Sequence, residues 1–433
     1  MELQKRRLDY KWVILASCFL MEFICLGFCS SNPGLYTGAV TKALNIPRSL
    51  YSIGTSIRYT VQVIVGLFFG SLIQKFGLKK LVGVGMFSLC ISITIRYLTT
   101  NIIHHYIGCL FWGLGIVFAG GTMASTVIRR WFKEDIGKYT GIVMSANGIG
   151  GAIAAQIISP IINNGEKFGY RKAYLLSAIV SLAVSFLVLL MMKEKPAENA
   201  ETAGPAKKKA RGAIWTGIEF SQVKKKAYFY LAFLFILLTG ISMQSVGTIS
   251  VVYMEDLGFN ARFVATTATV SSLVLTFAKI FMGFTYDKKG LRFTLVLAQL
   301  CVIIGFLLKA VLNKSGIGTL GMVCAMTATV LGTIAMPLET VMIPLISNDL
   351  FGTASYDKVL GIFYSANSLG LCLGSPLCDL YRDLTGGSYA SCYWFFTGLM
   401  LVVLVGFQIV IRVAHKDKQR ILDLQIEDAP AAQ

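Results

Sequence analysis

Charged side chains are scarce in this sequence: Asp, Glu, Lys and Arg make up 14% of its 433 residues. A soluble domain carries roughly 25%, so this chain has too few charges to cover a water-facing surface. Histidine is scarcer still. His104, His105 and His415 sit at helix ends or in loops, and no Cys/His spacing of a metal site accompanies them. The chain has neither a GxxxxGK phosphate loop nor a GxSxG turn, which excludes a nucleotide-driven motor and a serine-hydrolase elbow. No cofactor is called for. The ten cysteines fall almost wholly within apolar stretches, where they act as small apolar residues and imply no disulfide framework. The formal net charge of +18 would suit nucleic acid, but no soluble domain exists to carry a basic groove, so nucleic acid is not an expected partner.

What abounds is apolar sequence, 55% of residues with a mean hydropathy of +0.66. It comes in twelve blocks, near 12–33, 49–73, 81–100, 103–128, 139–162, 173–192, 228–253, 263–286, 293–312, 317–346, 359–381 and 388–411. Each is long enough for a helix to cross about 30 Å of hydrocarbon. Lipid offers backbone polar groups no partners, so such blocks must be helices. The expectation is an all-α membrane protein of twelve transmembrane helices. The first block is too long, and lacks the cleavage pattern, for a removable signal. With the N-terminus inside, cytoplasmic segments hold 28 of the 40 Lys and Arg and the outer loops hold 8. That positive-inside bias places both termini in the cytoplasm of a multi-pass cell-membrane protein. The run "KKKAR" at 207–211 is then an anchoring or anionic-lipid contact.

The chain repeats itself. "GIVMSANGIG" (141–150) and "GIFYSANSLG" (361–370) agree at six of ten positions. Sliding by 213 residues lays "GSLIQKFGLKK" (70–80) on "GFTYDKKGLRF" (283–293) and Arg96 on Lys309. A Pro-, Gly- and charge-rich stretch divides the spans into two sixes. The expected domains are a bundle over 1–192, a cytoplasmic linker over 193–226, a second bundle over 227–415 and a tail over 416–433. Parallel halves of this kind are one architecture of secondary transporters. The doubled phrase is rich in small residues, which let helix backbones approach closely in lipid. It serves either a boundary between halves or tight packing within each.

These features resemble the major facilitator superfamily. Within it, "RRWFKEDIGKYTGIVMSANGIGGAI" (129–153), "LFGTASYDKVLGIFYSANSLGLCLGSP" (350–376) and "RDLTGGSYASCYWF" (382–395) resemble the oxalate:formate antiporter and monocarboxylate transporter branch. The resemblance implies two pseudo-symmetric six-helix bundles and transport by alternating access. It also implies gating loops of Gly, then Asp four later, then basic residues. The second half matches with Gly283 and Asp287. The first has Gly70 but Gln74 in place of the acid, which should weaken its charge network.

Ionisable groups inside spans are costly and mark a pathway or a pair. Arg96 and Lys309 lie near the outer interface and are expected to snorkel outward. Lys279 differs. Thr269, Ser272, Thr276, Lys279 and Gly283 recur at helical spacing as one polar stripe, which should face a wet cavity. The resemblance implies an arginine here, four residues before Gly283, that binds the substrate's carboxylate. Lysine keeps the cation and loses the bidentate grip. Its other reading is a lysine that balances a buried acid. Span 2 shows a stripe of Thr55, Arg58, Tyr59, Gln62 and Gly66. Glu22, at mid-depth in span 1, is expected to pair with Arg58, structurally or as a proton-coupling acid. Glu339, after Pro337 in span 10, is a second proton-coupling candidate. Asn147 and Asn367 are equivalent in the repeat and favour helix locking, while Gln244 and Thr248 in span 7 are further polar candidates.

The resulting reading is a monomeric secondary transporter in the lipid bilayer. It moves a small organic anion, a monocarboxylate, by proton symport or exchange for a counter-anion. Lys279, assisted by Arg58, neutralises the carboxylate, and Tyr59, Gln62, Ser272, Thr276, Gln244, Asn147 and Asn367 are the other substrate-binding candidates. One alternative is a proton-coupled exporter of apolar or cationic compounds that uses Glu22 and Glu339. Another is a non-transporting membrane sensor on the same scaffold. An enzyme is not expected, because no catalytic constellation is written in the chain.

Overall fold

The computed structural model describes residues 9–31, 33–162, 164, 166, 168–194, 217–312, 318–386 and 389–427. Their regular structure is helical apart from one isolated bridge between Gly217 and Gly352. In chain order the helices are α1 (Tyr10–Glu22, continuing as a π turn over Phe23–Phe28), α2 (Pro33–Leu44), α3 (Arg48–Phe76), α4 (Leu78–Tyr97), α5 (Ile102–Ala119), α6 (Gly121–Trp131), α7 (Ile136–Ile162) and α8 (Gly169–Met191). There follow α9 (Phe220–Val223), α10 (Ala227–Leu257), α11 (Ala261–Ala310), α12 (Thr319–Ala335), α13 (Pro337–Thr340), α14 (Met342–Phe351), α15 (Tyr356–Leu384) and α16 (Tyr389–Glu427).

Ten helical stretches among the described residues are long and apolar enough to cross a membrane. One of them, Arg262–Ala310, holds two spans, because Gly290 (φ 78°, ψ 174°) breaks the helical path. Its equivalent in the repeat, Gly77, breaks the path between α3 and α4 with nearly the same angles (φ 81°, ψ 157°). Both lie in the left-handed region that favours glycine. The 29-residue α15 supplies the remaining span. Many large apolar side chains face outward, such as Phe186 at 67% and Phe277 at 69% exposure. In water that would be a liability; against lipid it is the expected surface.

The helices cluster into two compact units, residues 1–62 with 72–196 and residues 63–71 with 197–433. The same neighbours recur inside each. In the first, α1 packs on α7 and α8, and α4 packs on α5 and α8. In the second, α10 packs on α15 and α16, and α11 packs on α12 and α16. The doubled phrase sits at one of these contacts in both units. A Cβ on Gly150 of α7 would lie 3.0 Å from the Gly27 Cα of α1. One on Gly370 of α15 would lie 3.0 Å from the Gly240 Cα of α10. The repetition therefore preserves a glycine-on-glycine helix contact within each unit.

Two expected boundaries differ. The tail drawn at 416 begins inside α16, which runs on to Glu427. Asp417 holds it there, accepting from Lys226 Nζ at 2.9 Å and from the Tyr228 hydroxyl at 3.1 Å. Of the expected linker, 195–216 lie outside the described residues, but 217–226 are folded onto the second unit. Ile218 N donates to Phe351 O at 3.1 Å, and Val223 is buried.

Candidate transport site

The first half of α11 has three faces. Val264, Thr267, Ala278 and Met282 are buried against neighbouring helices, while Leu273, Phe277, Phe281 and Phe284 are exposed and apolar. The third face carries the predicted polar stripe. Its Thr269 and Ser272 are exposed and Thr276 half-buried, and it descends to Lys279 at 2% exposure and a buried Gly283. At about 100° per residue these faces lie roughly 120° apart, so the stripe is neither the packing seam nor the most apolar face.

Lys279 is brought together with Glu339, sixty residues on. Span 10 keeps right-handed helical backbone through Met336 and Val341, but its hydrogen-bond ladder is interrupted there, with Pro337 opening the single turn α13 between α12 and α14. Proline lacks a backbone N–H, so one rung of the ladder is missing. Glu339 lies on this turn, within Coulombic reach of Lys279. Its Oε1 is buried and accepts no hydrogen bond among the described residues. The Tyr364 hydroxyl, donating to Thr340 O at 2.9 Å, ties this turn to α15.

In the first unit Glu22 is wholly buried and ends the regular part of α1. The π turn follows at once, a feature frequent at functional sites. The expected Glu22–Arg58 ion pair does not form. Arg58 instead lays its guanidinium over Tyr59 (4.2 Å) and Trp112 (4.4 Å), and both it and Glu22 lie within Coulombic reach of Cys25. A guanidinium is weakly hydrated and planar, so stacking on rings satisfies it where an ammonium would need an anion.

Arg96 and Lys309 do not snorkel; each is 6% exposed and turned into its own unit. Gly108, without a side chain, leaves room for Arg96, whose guanidinium also lies over the Trp112 ring at 4.0 Å and donates to Cys109 Sγ. Trp112 thus meets two guanidinium groups, and its indole N–H donates to Ser30 Oγ at 2.8 Å. Lys309 donates to Ser250 Oγ beneath the Tyr393 ring. The 213-residue offset flagged this pair, but nothing in the pattern revealed its burial. Nor did any signal mark Trp112.

Among the remaining candidates, Asn147 Oδ1 accepts from Ser31 Oγ at 2.8 Å, and Asn367 lies where a Cβ on Gly240 would meet its Oδ1 at 3.0 Å. Both sit on the contacts made by the doubled phrase. Tyr59 and Gln62 are buried on the inward face of α3, and Gln244 is half-buried beside Gly374. The side chain of Thr248 lies outside the described residues. Gly70 packs against Lys358, where a Cβ would come within 2.7 Å of the backbone, whereas Gln74 and Asp287 are exposed. An acid missed by the motif reading serves the loop of the first unit: Glu194 Oε1 accepts from Leu78 N at 2.8 Å, capping α4.

The sequence profile of the Major Facilitator Superfamily matches residues 15–375. Among relatives, a monocarboxylate transporter 13 of Bos taurus is 22% identical over 93% of this chain and 89% of its own. The sialic acid transporter NanX of Escherichia coli is 24% identical over 82% and 84%. The fold matches the proton:xylose symporter XylE with a TM-score of 0.75 at 14% identity, covering 93% of this chain and 96% of that one. It also matches the human organic anion transporter MFSD10 with a TM-score of 0.67 at 12% identity, covering 92% and 100%. The chain therefore belongs to the major facilitator superfamily, as a multi-pass membrane transporter that resembles the monocarboxylate branch.

Proposed function

We propose that the protein is a secondary transporter of small organic anions, monocarboxylates foremost, and that Lys279 holds the carboxylate during passage. One observation carries the reading: a 2%-exposed lysine at the foot of a polar stripe, within Coulombic reach of an acid on span 10. A buried cation needs an anion, and removing either partner of a buried pair is costly. An entering carboxylate can take over Lys279 only if Glu339 withdraws or accepts a proton. That exchange of partners couples anion binding to proton movement and makes Glu339 the coupling acid. Relatives named for monocarboxylates and sialic acid support a carboxylate cargo. The basic cytoplasmic loops support cytoplasmic termini in the cell membrane.

The test is uptake of labelled lactate, pyruvate, formate, acetate and oxalate into proteoliposomes, with and without a pH gradient. Lys279→Gln should abolish uptake of whichever anion moves. Glu339→Gln should retain anion exchange and lose accumulation driven by the pH gradient. Wild-type uptake by Lys279→Gln would remove the lysine from the mechanism. Transport lost in Glu22→Gln but intact in Lys279→Gln would favour the exporter reading.

A further inference from the structure

The second unit contains a cavity of about 220 Å³ between α10, α11 and α12, and Lys279 is not among the residues that line it. Its floor is polar and small: Lys309, Ser250, Thr329 and Thr333. Its walls are apolar, with Met254 and Met336 among them. The Lys309 ammonium has three donors, of which Ser250 Oγ takes one. Among the described residues no carboxylate lies within ion-pair distance of it. The neighbouring hydroxyls cannot release it from that role as donor. Thr329 donates to Ala325 O and Thr333 to Thr329 O, each at 2.8 Å, so both spend their protons on their own helix. Besides Ser250 and the Tyr393 ring 5.7 Å away, the ammonium has no partner among the described residues. A buried cation facing a cavity lined by Met243, Met254 and Met336 is complementary to an anion that carries a short apolar tail.

The other unit shows the same device closed. Arg96 occupies the position equivalent to Lys309 and also lines a cavity, but that one has only about 60 Å³. Trp112 fills the space there, stacked on Arg96. The 220-residue offset of the doubled phrase sets Trp112 against Gly332, which lines the open cavity of the second unit. Trp112, together with Tyr36, Tyr51 and Tyr174, narrows the first cavity, and its ring lies 4.0 Å from the Arg96 guanidinium, closer than the 5.7 Å between Lys309 and the Tyr393 ring.

We infer that this cavity is a binding site for a short-chain monocarboxylate, with its head group on Lys309 Nζ and its tail among Met254, Met336 and Phe306. The site is separate from Lys279, about 12 Å along α11 from the nearest lining residue of that helix, Ser271. It does not depend on the transport reading.

Isothermal titration of the full-length protein in detergent tests it, in a Lys279→Gln/Glu339→Gln background that removes the other anion site while keeping charge balance. Sodium butyrate is titrated at constant ionic strength, with sodium bromide as a second arm. Saturable butyrate binding is expected, weakened tenfold or more both by Lys309→Gln and by Gly332→Leu. The second variant leaves the lysine in place and fills the cavity, since a Cβ at Gly332 meets nothing within 4 Å. No saturable binding, or binding that survives either variant, overturns the site. Bromide binding as tightly as butyrate overturns the carboxylate assignment in favour of a halide.

Discussion

Lys279→Gln should destabilise the protein far more alone than together with Glu339→Gln. The single change leaves the Glu339 carboxyl without the cation within its Coulombic reach. Breaking a fully buried, contacting pair costs about 3–5 kcal/mol, an upper bound here because no ion-pair contact joins the two among the described residues. Protonation sets a ceiling on that cost. An ordinary carboxyl with a pKa near 4.3 takes up a proton at pH 7 for about 3.7 kcal/mol, at 1.36 kcal/mol per unit. The single variant should therefore lose at most about 3–4 kcal/mol. The double variant removes both charges and should lose about 1 kcal/mol or less, so it should be more stable than Lys279→Gln alone by up to about 2–3 kcal/mol, and Glu339→Gln completes the cycle that gives the coupling. In a unit of some 200 residues, 3 kcal/mol corresponds to a fall in Tm of roughly 6–12 °C. Thermal unfolding of the four proteins in one detergent reads the cycle directly. Equal Tm values for the single and double variants would mean that the two charges do not compensate one another. The partner exchange between Glu339 and the substrate would then fall with them.

Gly150→Ala and Gly370→Ala should each cost about 1–3 kcal/mol, because the new methyl lies 2.4 Å from a facing carbonyl, Phe23 O or Leu237 O. Gly398→Ala, with open space around its Cβ, should be neutral or stabilising by up to about 1 kcal/mol; thermal melts compare all three. Gly77→Ala and Gly290→Ala should both cost about 1–2 kcal/mol for their left-handed backbone. Gly77→Ala should cost more, because its methyl would also lie 2.8 Å from Glu194 Oε1, and paired melts separate the two. The Lys172 ammonium, hydrogen-bonded at 2.7 Å, holds the Glu166 carboxyl below its ordinary range. A carboxyl lowered on folding stabilises above its unfolded pKa and loses that effect as pH falls through the folded value. The contribution of this exposed pair should thus be small, present at neutral pH and gone in acid. Lys172→Ala should shift the Glu166 titration midpoint upward, read by NMR.

The polar stripe of α11 was legible because helical spacing converts sequence distance into a face, so Thr269, Ser272, Thr276, Lys279 and Gly283 declare their alignment without a structure. The partner of Lys279 was not legible. Glu339 lies sixty residues further along the chain on another helix, and no local rule reports which faces of two helices pack together. Arg58 was assigned to Glu22 by charge and adjacency. It stacks on Trp112 instead, because α5 lies beside α3 and brings a ring face where the pairing argument supplied only a carboxylate. Arg96 and Lys309 were placed at the correct end of their helices and wrongly turned outward. Position along a helix follows from counting residues, whereas the side on which neighbours cover it depends on gaps such as Gly108.

Composition and periodicity alone determined that the chain is a membrane-spanning helical protein, written twice, with cations inside its spans. These properties follow from local rules: hydrocarbon thickness, the backbone's need for internal hydrogen bonds and the repeat of the α-helix. Tertiary structure decided which anion or ring each buried cation faces, and why one unit narrows its cavity with Trp112 and three tyrosines while the other leaves it open. That choice is made by side chains far apart in sequence and packed within a few ångströms, and no local rule reports it.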